Sequence, residues 1–388
     1  MLLICLAASQ QANAFRIVVI GDSGLWGQGL LEQDKIHSRL ADILQNSLGY
    51  GPIQITNVAH SGAPLDYDPP NGQANIHGEI PWTYPTILKQ CENFTNAPET
   101  VDLVLLDGGR NSVEVNNILD PCVSTNTLSE LLRTHYFRGM SNLLYKVSTN
   151  FTNATVVVCN YYPIISEFSS APFAGVFLTA VGIRCLPNHT LTVAKCRQEV
   201  VEGADHLKAA VAAINELNRQ NNPHVRIVFA DPRFLPQNAI FAPEPWLYGG
   251  LIQGTVFLPE DPLAVVRASL CANADPPLHL DREAICVIAS GGHPNPQGAQ
   301  AYADAAFAAY QGADGLVWVQ FNTLFPNCFN PLLRCGTEWN SFGSLTAAVN
   351  GVPNGGMVLM RAGSTAETPR INKSCRLQAY GGPVTIGR

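Results

Sequence analysis

The chain carries little charge: only 14% of its residues are Asp, Glu, Lys or Arg, against 46% hydrophobic ones. That scarcity excludes a chain kept disordered by charge and suits one that buries a core. A basic excess is also missing. With 23 Lys and Arg against 30 Asp and Glu the net charge is −7, so nucleic-acid binding has no electrostatic support. Among the 11 cysteines no pair has CxxC spacing, which argues against a zinc cluster or a thioredoxin-like redox site. No His/Asp metal constellation stands out, so neither a metal nor a cofactor is implied. The apolar stretch 171–183 falls short of the ~20 residues a bilayer span needs and contains Pro172, so no integral membrane span is expected.

What is present begins with a leader. Residues 1–8 are an apolar run, and Ala12-Asn13-Ala14 is an A-x-A cleavage pattern, so 1–14 reads as a signal peptide and Phe15 as the first mature residue. The run lacks a basic n-region, as a leader truncated at its start would. With Cys5 in the leader, ten cysteines remain, an even number that fits disulfides in an oxidising compartment. Sequons at Asn93, Asn150, Asn153, Asn188 and Asn372 agree with export but decide little.

Apolar, β-branched runs at 15–20, 53–58, 101–106, 155–159 and 225–230 read as buried strands. Helical spacing covers 36–48, about 197–219 and 297–310. Strands apolar on both faces and alternating with helices predict a mainly parallel α/β sheet. Long loops are expected over 163–191 and 232–296, where substrate selection commonly sits. After Gly315 the texture changes to short β-like runs with Gly turns, and a small β-rich unit is expected over 316–388.

Four segments, in chain order, could meet at the carboxyl edge of such a sheet. Gly21-Asp22-Ser23 ends the first strand, with glycines that permit a tight turn; Asp22 is read as ordering it. Ser61-Gly62 follows the second strand, Gly108-Gly-Arg-Asn-Ser112 the third, and Ser290-Gly-Gly-His-Pro294 precedes the last helix. Separately these segments have plainer readings: Ser23 as a helix cap, Ser61-Gly62 as a turn, Asn111 in an Asx-turn, His293 as a structural histidine. Acyl transfer needs an activated nucleophile, a base and N–H donors for an oxyanion, and the four together supply those types.

Together, over about 15–310, they resemble the SGNH (GDSL) hydrolases. That resemblance implies a three-layer α/β/α, flavodoxin-like domain over 15–312. It implies Ser23 as nucleophile, His293 as base, and an oxyanion hole from Ser23, Gly62 and Asn111. Departures are Gly24 at the family's Leu position, Ser112 at its Asp, and Ser290 where the triad acid would stand. For the acid role Asp281, Glu283 and Asp275 compete with orientation of the ring by a backbone carbonyl or the Ser290 hydroxyl. A degraded site is the third reading. The 316–388 unit resembles the opening rungs of bacterial right-handed parallel β-helices. The expected function is a secreted serine ester hydrolase acting on a small acyl ester or an acylated glycan. The alternative is a non-catalytic glycan-binding or adhesion protein on the same scaffold.

Overall fold

The computed structural model describes residues 14–48, 50–66, 76–253, 256–313, 316–321, 341–352, 357–372 and 375–387. The expected leader, apart from Ala14, lies outside them, as do Cys328 and Cys335.

Five strands form the main sheet: β1 (Phe15–Ile20), β2 (Ile53–Asn57), β3 (Leu103–Leu106), β4 (Thr155–Cys159) and β5 (Arg226–Ala230). All pair in parallel, in the order β2-β1-β3-β4-β5. Every residue of β3 and β4 is buried, which is why those runs are apolar throughout; the edge strand β2 alternates with exposed Gln54 and Thr56. The right-handed crossover rule then sorts the helices. Ile36–Leu48, which leads back from β1 to β2, lies on one face and packs against Pro296–Ala313. Ile87–Asn93, Met140–Asn150 and His189–Asn221 serve the crossovers that run the other way and pack against one another on the second face. The order reverses between β1 and β3, and the crevice beyond their carboxyl ends is where such sheets hold ligands.

Three expectations need correction. The segments 163–191 and 232–296 are not plain loops. The first holds the helix Ala171–Ala180, and the second holds an antiparallel hairpin, Gly250–Gln253 with Val256–Pro259, and the helices Ala264–Ala272 and Leu280–Val287. Likewise His189–Asn221 starts eight residues before the expected 197, because the Asn188 side chain accepts from the Leu191 N–H and caps it there. The cysteines do not all pair either. Cys122–Cys185 and Cys271–Cys286 are disulfides, but Cys91, Cys159 and Cys196 are buried free thiols and Cys375 is also unpaired. Buried thiols of this kind act as small apolar side chains; burial pushes Cys91 and Cys196 up to about 12, far from reactive thiolates.

A second sheet of three parallel strands comprises β6 (Leu316–Val319), β7 (Met357–Thr365) and β8 (Arg376–Ile386), with β7 central. Its faces alternate as a strand period of two requires. Val317, Val319, Val358 and Met360 pack with Leu345, Ala348 and Val349 of the helix Leu345–Gly351, while Trp318 and Leu359 meet Leu48 of the main domain. Glu367 holds that helix in place: its carboxylate accepts from the Leu345 and Thr346 N–H groups and from the Ser344 and Thr346 hydroxyls. Against the pull of partial burial these bonds hold the carboxyl down at about 2. The bonds therefore persist at neutral pH and are lost only as the pH falls through that value. Glu367→Ala is expected to cost about 1–2 kcal/mol, read as earlier loss of the small sheet's amide-exchange protection than of the main sheet's. Equal protection in both would contradict that role.

Candidate active site

Ser23 sits where β1 turns into the one-turn helix Ser23–Trp26. The Asp22 carboxylate accepts from the Gly24 N–H at 2.9 Å and so fixes the turn. Gln90 clamps its base from the second face of the sheet, accepting from the Gly21 N–H and donating to the Gly21 carbonyl. His293 arrives from the turn before the helix Pro296–Ala313. The segment 246–248 pins that turn: the Tyr248 N–H donates to the His293 carbonyl and the Gly292 N–H to the Tyr248 carbonyl. Gly292 takes φ +78°, a left-handed conformation that favours glycine. The result is a contact of 2.8 Å between His293 Nε2 and Ser23 Oγ, with both side chains partly accessible.

The segments expected from the sequence to supply oxyanion donors follow β2 and β3, the two strands that flank β1 in the sheet. Among the described residues, the Ser23 and Gly62 N–H groups have no protein acceptor. Asn111 donates one amide hydrogen to the Ala63 carbonyl at 3.2 Å, which leaves its second hydrogen for a ligand. The Ser112 hydroxyl oxygen accepts from the Leu65 N–H at 2.8 Å and ties the loop after β2 to the turn after β3. Gly62 has φ +81°, and a Cβ on it would lie 2.7 Å from the Trp82 nitrogen. Gly62→Ala is therefore expected to cost more than about 1 kcal/mol of stability and to lower turnover. Thermal unfolding and kcat measured together check this, and unchanged values of both would contradict it.

Among the described residues no carboxylate completes a triad. His293 Nδ1 is shut away from solvent and has no hydrogen-bond partner among the described residues. Asp275 is exposed, neither it nor Glu283 has a recorded contact with the ring, and the Asp281 side chain lies outside the described atoms. The Ser290 hydroxyl is occupied elsewhere: it donates to Asp261 at 2.5 Å and accepts from Arg267 at 2.9 Å. The groups that favour a proton on the ring are the Ser290 and Ala289 carbonyls, which stand near it without bonding geometry. Burial first, then the positive charges of Arg110 and Arg267, push His293 down to about 4. The imidazole is thus neutral, and so able to accept a proton, from neutral pH down to well below the usual histidine range.

Beneath the Ser23 turn lies a buried polar network that the sequence did not reveal. Asp107 Oδ1 accepts from the Asp22 N–H, and Asp22 Oδ2 accepts from the Tyr161 hydroxyl at 2.6 Å. Burial raises both carboxyls, and the neighbouring Asp22 charge raises Asp107 further. Gly24 makes room for it: a Cβ there would stand 2.8 Å from Asp107 Oδ2. Next to Asn111, Arg110 is paired with Glu199 at 2.8 Å and lies over the rings of Tyr161 and Tyr162. Burial alone would lower the guanidinium, but Glu199 outweighs it and keeps Arg110 charged. The nearest sequence signal was an arginine flanked by glycine and asparagine, too common to single out.

No family model and no curated protein matches the chain. Solved structures do. Phospholipase A1 from Streptomyces albidoflavus NA297 is 16% identical, covers 63% of this chain and 92% of its own, and has a TM-score of 0.38. The extracellular lipase of Streptomyces rimosus is also 16% identical, over 62% of this chain and 91% of its own, at 0.37. A putative arylesterase from Agrobacterium tumefaciens is 12% identical, over 77% and 99%, at 0.35. At such identities and scores these likenesses assign no chemistry to this chain.

Proposed function

We propose that the chain is a secreted serine ester hydrolase working through a Ser23–His293 dyad. The observation that carries this reading is the 2.8 Å contact between Ser23 Oγ and His293 Nε2 at the carboxyl edge of a parallel sheet. In the proposed reaction Ser23 Oγ bonds to the ester carbonyl carbon while Nε2 takes the hydroxyl proton. The carbonyl oxygen gains negative charge against the Ser23 and Gly62 N–H groups and the Asn111 amide. Collapse breaks the ester C–O bond, and the imidazolium gives its proton to the departing alcohol. Water, deprotonated by the same nitrogen, then releases the acid from the acyl-enzyme. The substrate class is a small acyl ester or an acylated extracellular glycan. The two disulfides support an oxidising, extracellular setting, and no helix among the described residues is long and apolar enough to cross a membrane. The parallel pairing of β6 with β7 and of β7 with β8, the latter with a register shift between Tyr380 and Val384, supports reading the tail as a β-helix-like unit.

Purified protein should hydrolyse p-nitrophenyl acetate and react with a fluorophosphonate. A folded protein that does neither overturns the reading. The pH profile is a further expectation. Because the ring stays neutral down to about 4, kcat/KM should hold its plateau into mildly acidic pH and fall only as the pH approaches that value. An acid limb near the ordinary histidine value of 6.5 would contradict the cause given for the depression.

The bare Nδ1 favours one second reading, a non-catalytic glycan binder on the same scaffold. Retention of an acylated glycan by an inert wild-type protein would support it.

A further inference from the structure

Four buried polar side chains form a cluster behind the Ser23–His293 pair. Arg267 is fully buried at its centre. One guanidinium nitrogen donates to Glu79 at 3.0 Å and to Asp261 at 2.9 Å; the other donates to Asp261 at 2.6 Å and to Ser290 Oγ at 2.9 Å. Glu79 in turn grips the segment that follows Ser23: its carboxylate accepts from Trp26 Nε1 at 2.8 Å, Gln28 Nε2 at 3.1 Å and the Gly29 N–H at 3.0 Å. At the other end, Ser290 donates to Asp261 and its carbonyl accepts from the His293 N–H at 2.9 Å, closing the turn that carries the base. The two turns also touch directly, since a Cβ on Gly29 would stand 2.9 Å from that of Ser290. The Cys271–Cys286 disulfide joins the helix bearing Arg267 to the one that leads into the His293 turn.

We propose that Arg267, acting through Glu79 on one side and Ser290 on the other, is the positioning residue that sets His293 against Ser23. It does so where no described carboxylate bonds to the imidazole. This inference rests on the hydrolase reading above. The physical case is that His293 Nδ1 has no partner among the described residues to fix its ring, yet the pair still meets at hydrogen-bond distance. A planar guanidinium with fixed donors suits the task, because it links both turns at set angles where an ammonium would supply only a point charge. The charges that bear on the ring are those of Arg110 and Arg267; Glu79 and Asp261 are taken up by Arg267, and Tyr248, whose N–H pins the His293 carbonyl, is kept neutral by burial.

The test compares wild type with Ser290→Ala, Arg267→Met and Arg267→Lys. It measures kcat and KM on p-nitrophenyl acetate, the kcat/KM pH profile and thermal unfolding. Ser290→Ala leaves the Arg267–Asp261 pair intact, so it should fold like wild type while kcat falls about tenfold or more and KM stays within about twofold. Arg267→Lys should keep part of the kcat lost in Arg267→Met, and removing the cation should move the acid limb to higher pH. An Arg267→Met protein that does not fold leaves Ser290→Ala as the deciding arm. Wild-type activity with an unchanged kcat in Ser290→Ala overturns the positioning role alone. An inert wild type whose Ser23 takes no fluorophosphonate overturns the hydrolase reading and this inference with it.

Discussion

Ser23→Ala is expected to lower kcat on p-nitrophenyl acetate by about 10⁴- to 10⁶-fold while the unfolding midpoint stays near that of wild type. The size follows from the geometry: the hydroxyl lies within bonding distance of the imidazole Nε2, at 2.8 Å. The stability follows from what the hydroxyl does not do, since Asp22, Gln90 and Asp107 order the turn without it. His293→Ala should cost a similar factor, and the double variant little more than either alone, because a nucleophile and its base act as one unit. The residual rate should reflect the oxyanion donors, which neither substitution removes. A loss of only a few-fold in Ser23→Ala would mean that another group attacks.

The largest expected effect on stability comes from Glu199→Leu. Glu199 and Arg110 are both buried, at 1% and 6% exposure, so removing the acid leaves a guanidinium without its countercharge. Breaking such a pair from one side costs about 3–5 kcal/mol, although replacing both partners can be nearly neutral. Tyr136, which donates to the same carboxylate at 2.7 Å, loses its acceptor as well. Calorimetry should show a midpoint lower by roughly 10 °C, with much of that recovered in the Arg110→Met/Glu199→Leu double variant. A shift of a degree or two would mean that water reaches Arg110. Activity should fall with Glu199→Leu too, because Arg110 is the residue before Asn111 and donates to the Tyr162 carbonyl, which fixes the start of that turn.

Much of this was legible in the sequence, for identifiable reasons. The strands β1 and β4 were readable to the residue because their runs are mostly apolar and β-branched and end at turn residues. The Ser23 and His293 turns were readable because glycine and proline mark them. The buried network was not. Arg267, Asp261, Glu79, Glu199 and Asp107 are ordinary charged residues in sequence, and only the pairing of elements far apart in the chain makes them neighbours. The same limit applies to the triad acid: carboxylates near His293 in sequence were reasonable candidates, yet Asp261, 29 residues before Ser290, is the one that reaches the Ser290 hydroxyl. The helix Ala171–Ala180 was hidden by its even apolarity, which gives little contrast between faces.

The most direct measurement is the rate and site of fluorophosphonate labelling, followed by peptide mapping in the mass spectrometer. Phosphonylation at Ser23 that becomes at least about a hundredfold slower in His293→Ala is the outcome expected of a working nucleophile and base. Modification at a different residue, or labelling of Ser23 at the same rate without the imidazole, would contradict it.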